Sequence, residues 1–411
     1  MKLLCRIAMG YEKRKRRIEA NGAFVFLQSG RWQAGGYALI LVLLVTSLLI
    51  ALTANFIMEA HTNVEYMRKF DSRLKAANIA RSGLELAKMA LTADKQGMGG
   101  MLTGKSIDKN IDCYEDIWAL EFPRVPIGDG MLEFSITDES AKININAFAN
   151  EFTEKTRYYY MAQLFFINLG LPMDFADIMH DWVDIDDSKL PYGAESGDYY
   201  MNLIPSYRAK NKSMDSIDEC LMLKDITPEI FYGLGGGNFG LEENLVDHNK
   251  GILTFDTDKM LEAAEGQISQ TTSEDDADRA SIIAELPIGK EKSRALWDYF
   301  RVYGDSKNFL ADSNKININT ASYRVLSALT ENMTDDRVTE LIRRRLVKPF
   351  TSIEEIKDIV GDDEFETLNK YITLKSYIFK IRSVGFAGTA SVPVTIYYNR
   401  DTKKTLYRSE E

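Results

Sequence analysis

The chain has 411 residues, of which 45% are hydrophobic and 11% aromatic, values typical of a protein that buries a core. Its net charge of −11 is uneven: residues 1–36 hold eight basic and two acidic residues, which leaves −17 for the rest. An acidic surface repels nucleic-acid phosphates and favours divalent cations or protein partners. Three cysteines are too few for a disulfide framework, and the sequence leaves open whether Cys113 and Cys220 pair.

A long uncharged segment follows the basic N-terminus. Residues 32–58 carry no charge and are almost wholly apolar from position 37 onwards. As a helix rising about 1.5 Å per residue, the apolar run covers roughly 30 Å, the thickness of a bilayer core. The basic cluster at 13–17 predicts a cytoplasmic N-terminus and a domain beyond the membrane. Apolar spacing continues, so we expect one helix over 37–91, with Gly83 as its weak point. A buried core helix and a cleaved secretory signal are the alternatives.

The order of basic leader, glycine, apolar helix and acidic domain resembles the type IV pilins and pseudopilins. In that class a prepilin peptidase cuts after the glycine and methylates the new N-terminal amine, and the resemblance places this junction at Gly36–Tyr37. Most members carry glutamate at the fifth mature position, whereas this chain has Leu41 there. A carboxylate in lipid is costly unless it is paired, so its absence suggests a subunit with no neighbour above it.

Short segments at both ends of the remaining sequence predict the strands of a head domain. They are residues 131–137, 377–384, 392–398 and 405–408, with turns expected at 385–388 and 399–401. Pro393 suggests that its strand lies at a sheet edge. The sequence therefore predicts an α+β fold in which a pilin-like transmembrane and spine helix and an antiparallel sheet are interrupted by a large helical insertion.

The insertion contains an internal repeat. Lys142-Ile-Asn-Ile-Asn-Ala recurs as Lys315-Ile-Asn-Ile-Asn-Thr, and Ser216-Ile-Asp-Glu recurs as Ser352-Ile-Glu-Glu. The two marks lie 74 residues apart in the first copy and 37 in the second, and the extra length falls around 184–211. Asn146, and Asn319 with Thr320, are good N-caps for the helices expected to follow. The two copies resemble helix-hairpin-helix modules.

This second resemblance raises a DNA-binding alternative, with Arg343, Arg344, Arg345 and Lys348 as the basic residues. DNA-binding modules of this type use a Gly-x-Gly hairpin to bring backbone amides near phosphate. The matching segment here, residues 331–336, ends instead in two aspartates. We therefore expect a structural helical fold and no nucleic-acid partner.

The densest chemistry lies in residues 181–198, where six carboxylates face one lysine within 18 residues. Like charges this close repel one another unless water solvates them or a cation neutralises them. Oxygen ligands on a loop that contains glycine and proline favour Ca²⁺, which accepts irregular geometry and six to eight ligands. A solvated acidic loop is one alternative. An enzymatic carboxylate pair is another, although no histidine, nucleophile or oxyanion loop accompanies the loop in sequence.

The same loop reads DWxDxDDxxxPxGAExxDYY from Asp181 to Tyr200, which is similar to the signature of the type II secretion minor pseudopilin K family. Segments 137–146 and 225–231 extend the resemblance. That family's helical insertion binds calcium. The resemblance implies a calcium ligand set made of Asp186, Asp187, Glu195 and Asp198, with Asp184 as a further ligand.

The family resemblance also implies a function. It predicts a non-enzymatic subunit at the tip of the type II secretion pseudopilus, which caps the pseudopilus and initiates its assembly for protein export across the outer membrane. The implied partners are the minor pseudopilins I and J, the major pseudopilin, other secretion components and the prepilin peptidase. The implied location is the bacterial inner membrane, single-pass, with a periplasmic C-terminal domain. A minor type IV pilin and a membrane-tethered DNA-binding receptor are the alternatives.

Five divisions of the chain are expected: a leader over 1–36, a transmembrane helix over 37–58, the spine helix and first part of the head over 59–149, the insertion over 150–374 and the C-terminal strands over 375–411. Residues 234–285 are rich in glycine and acidic residues, which predicts a mobile linker. The role of residues 234–310 stays open.

Other kinds of site find little support in the sequence. His61, His180 and His248 lie far apart, with no cysteine or histidine at metal-ligand spacing, so zinc is not expected. The sequence also contains no Ser-His-Asp set, phosphate loop or dinucleotide fingerprint. We therefore do not expect an enzyme.

Overall fold

A computed structural model describes residues 35–98, 108–120, 122–150, 154–233 and 295–410, and it divides into two compact units, Met1–Asp71 and Ser72–Glu411. The helices are α1 (Gly35–Lys95), α2 (Arg157–Leu169), α3 (Asp174–Val183), α4 (Pro228–Tyr232), α5 (Tyr323–Ser327), α6 (Asp335–Val347), α7 (Lys357–Val360) and α8 (Asp362–Leu368). The strands are β1 (Val125–Ile127), β2 (Gly130–Asp138), β3 (Ile143–Asn144), β4 (Phe300–Arg301), β5 (Ile316–Asn317), β6 (Ile372–Thr373), β7 (Ile378–Ala387), β8 (Ala390–Asn399) and β9 (Lys404–Glu410).

The described part of the first unit is helical throughout and belongs to α1. Its large apolar side chains are exposed, among them Tyr37, Leu41 and Phe56. From Tyr37 onwards α1 is long and apolar enough to cross a membrane. This agrees with the membrane-spanning helix predicted from the sequence, because such a row of apolar side chains is stable in lipid.

The second unit contains a five-stranded antiparallel sheet in the order β1-β2-β7-β8-β9. The predicted strands are present, and the α+β prediction is confirmed. Two details were wrong. Gly385 does not form a turn but pairs with Val392 inside the sheet. Pro393 lies on β8, which has a neighbouring strand on each side and is therefore not an edge strand. Among the described residues, the pairing of β8 with β9 begins at Val394, so the N–H that Pro393 lacks is not needed for a bond to β9.

The last turns of α1 cover one face of this sheet with alanine and leucine side chains. Its buried side chains follow helical spacing and are Ala76, Ala80, Leu84, Ala87 and Leu91. A Cβ atom on Gly83 would collide with the side chains of Ser383 and Leu132, and one on Gly385 would collide with the main chain of Ala76. Gly83, taken from the sequence as a weak point of the helix, is therefore required for the close contact between helix and sheet.

The remaining elements lie in sequence between β2 and β7, and they contain both copies of the repeat. Each Lys-Ile-Asn-Ile-Asn segment forms a short strand that pairs in parallel, β3 with β4 and β5 with β6. A hydrophobic core with many aromatic side chains holds them together, and Phe165, Phe166 and Phe300 are in mutual contact there. The proposed domain boundaries stay predictions, and residues 234–285 lie outside the described part of the chain.

The sequence suggested that Asn146 and Asn319 cap the helices that follow, and this was wrong. Instead the side chain of Asn146 binds the main-chain N–H and C=O of Met214, at 2.7 and 2.9 Å. Asn319 makes the same pair of bonds with the N–H and C=O of Phe350, at 2.9 and 3.0 Å. Helices α2 and α5 begin later, after Thr156 and Ser322.

The partners of these asparagines stand at equivalent positions. Met214 and Phe350 each lie two residues before the second mark of the repeat, Ser216 or Ser352, which begins a short helix with a capping box in both copies. The two copies therefore share an internal hydrogen-bonded frame. Their assignment as helix-hairpin-helix modules stays a prediction.

Candidate metal centre

Helix α3 presents the first residues of the acidic loop. Asp174 and Asp177 lie in its first turn, where carboxylates interact favourably with the helix dipole. Asp177, His180, Asp181 and Asp184 follow at helical spacing and are all buried, with Asp184 as the C-terminal cap residue. The loop that continues from Asp184 returns to these buried polar groups.

An outer site lies on the loop, defined here by Asp187, Glu195, Asp198 and Asn211. These four residues line one open cavity of about 580 Å³. Glu195 is 2% exposed, and neither of its carboxylate oxygens has a hydrogen-bond partner. The amide oxygen of Asn211 is also buried without a partner. Buried oxygens are nearly always paired, so three unpartnered ones at this cavity point to a ligand that accepts them.

The outer site also contains positive charge from the protein. Lys189 Nζ lies 2.5 Å from Asp198 Oδ2. Although burial acts in the opposite direction, this bond and the Glu195 N–H hold the pKa of Asp198 below its usual value. Asn211 donates from Nδ2 to Asp187 Oδ1, at 2.9 Å, and to the carbonyl oxygen of Asp186, at 2.7 Å. A bound cation would compete with Lys189 for Asp198.

Burial, together with the negative charges of Asp181, Asp184 and Asp187, raises the pKa of Glu195 to about 8. A carboxylate in this environment is unfavourable unless a proton or a cation compensates it. The cavity is lined by oxygens from three carboxylates and one amide, and also by the cationic side chains of Lys189 and Arg208. The oxygens fit a hard cation such as Ca²⁺, which would have to displace Lys189 from Asp198.

An inner cluster lies beside the outer site, defined by His180, Asp181 and Asp184. One ligand atom from each residue lies within 4.8 Å of the other two. His180 Nδ1 is 3.3 Å from Asp184 Oδ2 and 4.0 Å from Asp181 Oδ1. Burial raises the pKa of Asp181 to about 7, and it also raises the pKa of Asp184 despite the contact with His180.

Gly193 brings the loop against this cluster. A Cβ atom at position 193 would collide with the carboxylate of Asp181, which also accepts a hydrogen bond from the Leu190 N–H. Only glycine therefore allows the loop to approach Asp181 this closely.

The structure separates the five predicted calcium ligands. It brings Asp187, Glu195 and Asp198 to the outer site, while Asp184 belongs to the inner cluster. Asp186 accepts a hydrogen bond from the Ser188 N–H and does not line the cavity.

Sequence reasoning missed two residues of the centre. Asn211 lies outside the acidic string and carries no pattern that announces it. His180 lies four residues before Asp184, a spacing that places both side chains on one face of a helix and that is visible in the sequence.

The other predicted features are the cleavage junction, the two cysteines and the basic residues considered for DNA binding. Gly36 lies on α1, and the leader before Gly35 lies outside the described residues. Cys113 and Cys220 are both buried free thiols. Of the basic residues considered for DNA, Arg344 is paired with Glu340 and Asp358, and Arg345 is buried against the Ile318 carbonyl. Neither side chain presents a free cation to phosphate.

Comparison with known proteins links both copies of the repeat to one family. Two family models, each described as Type II secretion system (T2SS), protein K, match residues 141–235 and 316–374. A type II secretion system protein K from Pseudomonas aeruginosa is 26% identical over 196 residues, which covers 46% of this chain and 57% of the relative. One from Klebsiella pneumoniae is 27% identical over 154 residues, covering 36% of this chain and 47% of the relative. The chain thus spans about half the length of these relatives.

A solved structure shares the fold. The crystal structure of the GspK–GspI–GspJ complex from the enterotoxigenic Escherichia coli type 2 secretion system contains a chain that superposes with a TM-score of 0.56. The match covers 85% of this chain and 99% of that chain, at 14% sequence identity. At this identity the likeness establishes the fold.

Proposed function

The chain belongs to the type II secretion system protein K family, and we propose that it is the minor pseudopilin at the tip of a type II secretion pseudopilus. The observation that carries the proposal is the match of both family models to the two copies of the repeat, on a chain whose fold is that of a solved relative. In this role the protein assembles with other subunits and catalyses no reaction.

Its partners would be the minor pseudopilins I and J, since the related chain of similar fold was solved as a complex with GspI and GspJ. Assembly would continue with the major pseudopilin and other secretion components. The elements between β2 and β7 would leave no room for a subunit above, and Leu41 lacks the carboxylate that would pair with one. Both features support a subunit that caps the pseudopilus and initiates its assembly.

The described helix supports an inner-membrane location before assembly. We propose that a prepilin peptidase cuts between Gly36 and Tyr37, that the new amine is methylated, and that the N-terminus is cytoplasmic while the head is periplasmic. The basic cluster at 13–17 and the apolar α1 are the features behind this orientation.

Calcium would stabilise the head at the outer site. Asp187, Glu195 and Asp198 would supply carboxylate oxygens and Asn211 its amide oxygen, so that binding would tie the loop to itself around residues 187–211. A ligand present at a hundred times its dissociation constant stabilises a folded protein by about 2.7 kcal/mol. Calcium should therefore raise the Tm of the chelator-stripped full chain in detergent.

Two variants sharpen the calcium experiment. Asp187→Ala should abolish the rise in Tm, whereas the exposed Asp129→Ala, on the turn between β1 and β2, should leave it unchanged. An equal rise in wild type and Asp187→Ala would remove the calcium proposal while leaving the tip-subunit proposal intact.

The tip-subunit proposal is tested by co-expression of the full chain with the prepilin peptidase and the I and J pseudopilins of the same organism. Affinity capture of I should recover J and this chain in equal amounts. Recovery of I and J without this chain would contradict the proposal. A tagged, unrelated single-pass protein with a periplasmic domain controls for co-capture in shared detergent micelles.

A further inference from the structure

We propose that the sheet edge formed by β9, together with the groove between β9 and α1, is a docking surface for an extended acidic segment of a neighbouring minor pseudopilin. Its role rests on the proposed function, since the neighbour is a subunit of the same tip complex. The surface lies on the head, away from the candidate metal centre.

The two edges of the five-stranded sheet differ in their protection. Strand β1 forms one edge, and it has only three residues, of which Pro126 is one. Strand β9 forms the other edge, and its seven residues include no proline or glycine. A long edge without such breaks offers a row of N–H and C=O groups to another chain. Among the residues that the structure describes, no strand pairs with the outer side of β9.

A groove of about 480 Å³ lies beside this edge, between α1 and the last two strands. Two buried apolar side chains line it, Leu84 from α1 and Ile396 from β8. Ser82 and Thr405 add hydroxyl groups. The surface therefore combines an open backbone edge with a groove for side chains, which are the two features that hold a strand added to a sheet.

The groove is basic, although the chain beyond residue 36 is strongly acidic. Its charged lining consists of Arg81, Lys88 and Arg408 against the carboxylate of Glu85. Lys88 is bonded to Glu85 at 2.9 Å, and both arginines contact one further carboxylate, that of Glu410. That carboxylate carries a single negative charge against two guanidinium groups, so positive charge remains for a partner. The complementary segment is therefore acidic.

Two ion pairs show that β9 lies beside α1 and is antiparallel to it. At one end of the strand, Arg81 contacts Glu410 at 3.4 Å. At the other end, Lys95 contacts Asp401, in the turn before β9, at 2.7 Å. Antiparallel pairing of β9 with β9 of a second copy would point the two α1 helices in opposite directions, which one membrane does not permit. The occupant is therefore a different subunit, whose own α1 is parallel to this one.

The geometry also defines the binding segment. The side chains of an added strand alternate between the two faces of the sheet, so every second one lies over the groove. These residues should be acidic where they face Arg408 and Lys88, and apolar where they face Leu84. A minor pseudopilin is the neighbour that fits, because the related chain of similar fold was solved as a complex with GspI and GspJ.

Photo-crosslinking tests the surface in the assembled complex. The full chain is produced with the prepilin peptidase and the I and J pseudopilins of the same organism. The photoreactive residue p-benzoylphenylalanine replaces Thr405 at the groove or, as the matched control, the exposed Ser391 on the opposite face of the sheet. Irradiation should join the Thr405 variant, but not the Ser391 variant, to minor pseudopilin I or J. Mass spectrometry should place the joined residue in an extended segment that contains carboxylates.

Charge reversal tests the chemistry of the groove. Arg408→Glu should lower the recovery of this chain in affinity capture of I by about fivefold or more, because it places a carboxylate against an acidic segment. Arg382→Glu is the matched control, since Arg382 is exposed on β7 and its side chain lies on the opposite face of the sheet. This control should be recovered like the wild type.

Three results would overturn the proposal: no adduct of the Thr405 variant with I or J in a complex that still forms, an adduct with a second copy of this chain instead, or unchanged capture of folded Arg408→Glu. If Arg408→Glu does not fold, the crosslink decides, since it changes no charge. Failure of the tip-subunit proposal looks different, because I and J would then be recovered without the wild-type chain.

Discussion

The side chain of Asn146 binds both main-chain polar groups of Met214, 68 residues further along the chain. Asn319 does the same to Phe350, 31 residues away. An amide side chain is suited to this role because it carries one acceptor and one donor, which match a peptide N–H and C=O. In each copy of the repeat, the asparagine thus joins the first mark of the repeat to the residue two positions before the second mark.

Replacing one of these asparagines should destabilise the head. Asn146→Ala leaves the buried polar groups of the Met214 main chain, and the Val302 carbonyl, without their partner. We expect a loss of about 2 kcal/mol or more in the free energy of unfolding, measured by urea denaturation of the full chain in detergent. The exposed Asn369→Ala is the control, and equal stability of both variants would show that the bonds contribute little.

Gly83→Ala should destabilise the contact of α1 with the sheet. In an exposed helix this change stabilises by roughly 1 kcal/mol, so the sign of the effect is diagnostic. Here the new Cβ would collide with Ser383 and Leu132, and we expect a loss of about 1–3 kcal/mol. Thermal unfolding measures it, with Ser82→Ala on the exposed face as the control. A higher Tm for Gly83→Ala would show that the helix is not closely packed.

The buried acidic group at the end of α1 predicts a dependence on pH. Burial and the nearby charge of Asp94 raise the pKa of Asp116 to about 8, and burial with the charge of Asp112 raises that of Asp94 to about 7. Arg400 binds Asp94 and Asp112, at 3.1 and 2.6 Å, and compensates only part of this charge.

Because these pKa values are raised on folding, the folded state holds more protons than the unfolded state between about pH 4 and pH 8. Stability is therefore greatest near or below pH 4 for these groups and falls as the pH rises to 8. We expect the full chain to lose more than about 1 kcal/mol between pH 5 and pH 8. Asp116→Asn should flatten this dependence, while the exposed Asp129→Asn should not; identical pH profiles for the two variants would exclude Asp116 as a source.

Processing of the N-terminus is tested by a change in the leader. In cells that contain the prepilin peptidase, the wild-type chain should yield a mature form that begins with N-methylated Tyr37. Gly36→Val should abolish this form, since a side chain at the cleavage position blocks the peptidase, and the matched leader variant Gly30→Val should be processed normally. Mass spectrometry distinguishes the products, and an intact Met1 terminus in the wild type would refute the processing model.

Much of the fold was readable because it depends on local pattern. The apolar run of α1 and the alternation of β2, β7 and β8 report burial directly, and the predicted elements agree with the structure to within a few residues. The errors at Gly83 and Gly385 have one cause. A glycine reads as a break or a turn, whereas here both glycines allow α1 and the sheet to approach each other, which depends on residues about 50 to 300 positions away.

The candidate metal centre was predictable only in part for the same reason. The density of carboxylates in one loop identified the region, but not which of them share a cavity. Asn211 joins Glu195 through the fold of the loop. His180 joins Asp184 through helical spacing, a local signal that was present in the sequence.

The two segments closed by an asparagine, 146–214 and 319–350, differ in length. The bonds at Asn146 and Asn319 are the same, yet one encloses more than twice as much chain as the other. Since doubling a flexible loop costs only about 0.6 kcal/mol in closure entropy, evolution can lengthen this stretch at almost no thermodynamic cost. The acidic loop lies within this longer interval, so its carboxylates could be gained, altered or lost in related chains without redesign of the surrounding fold.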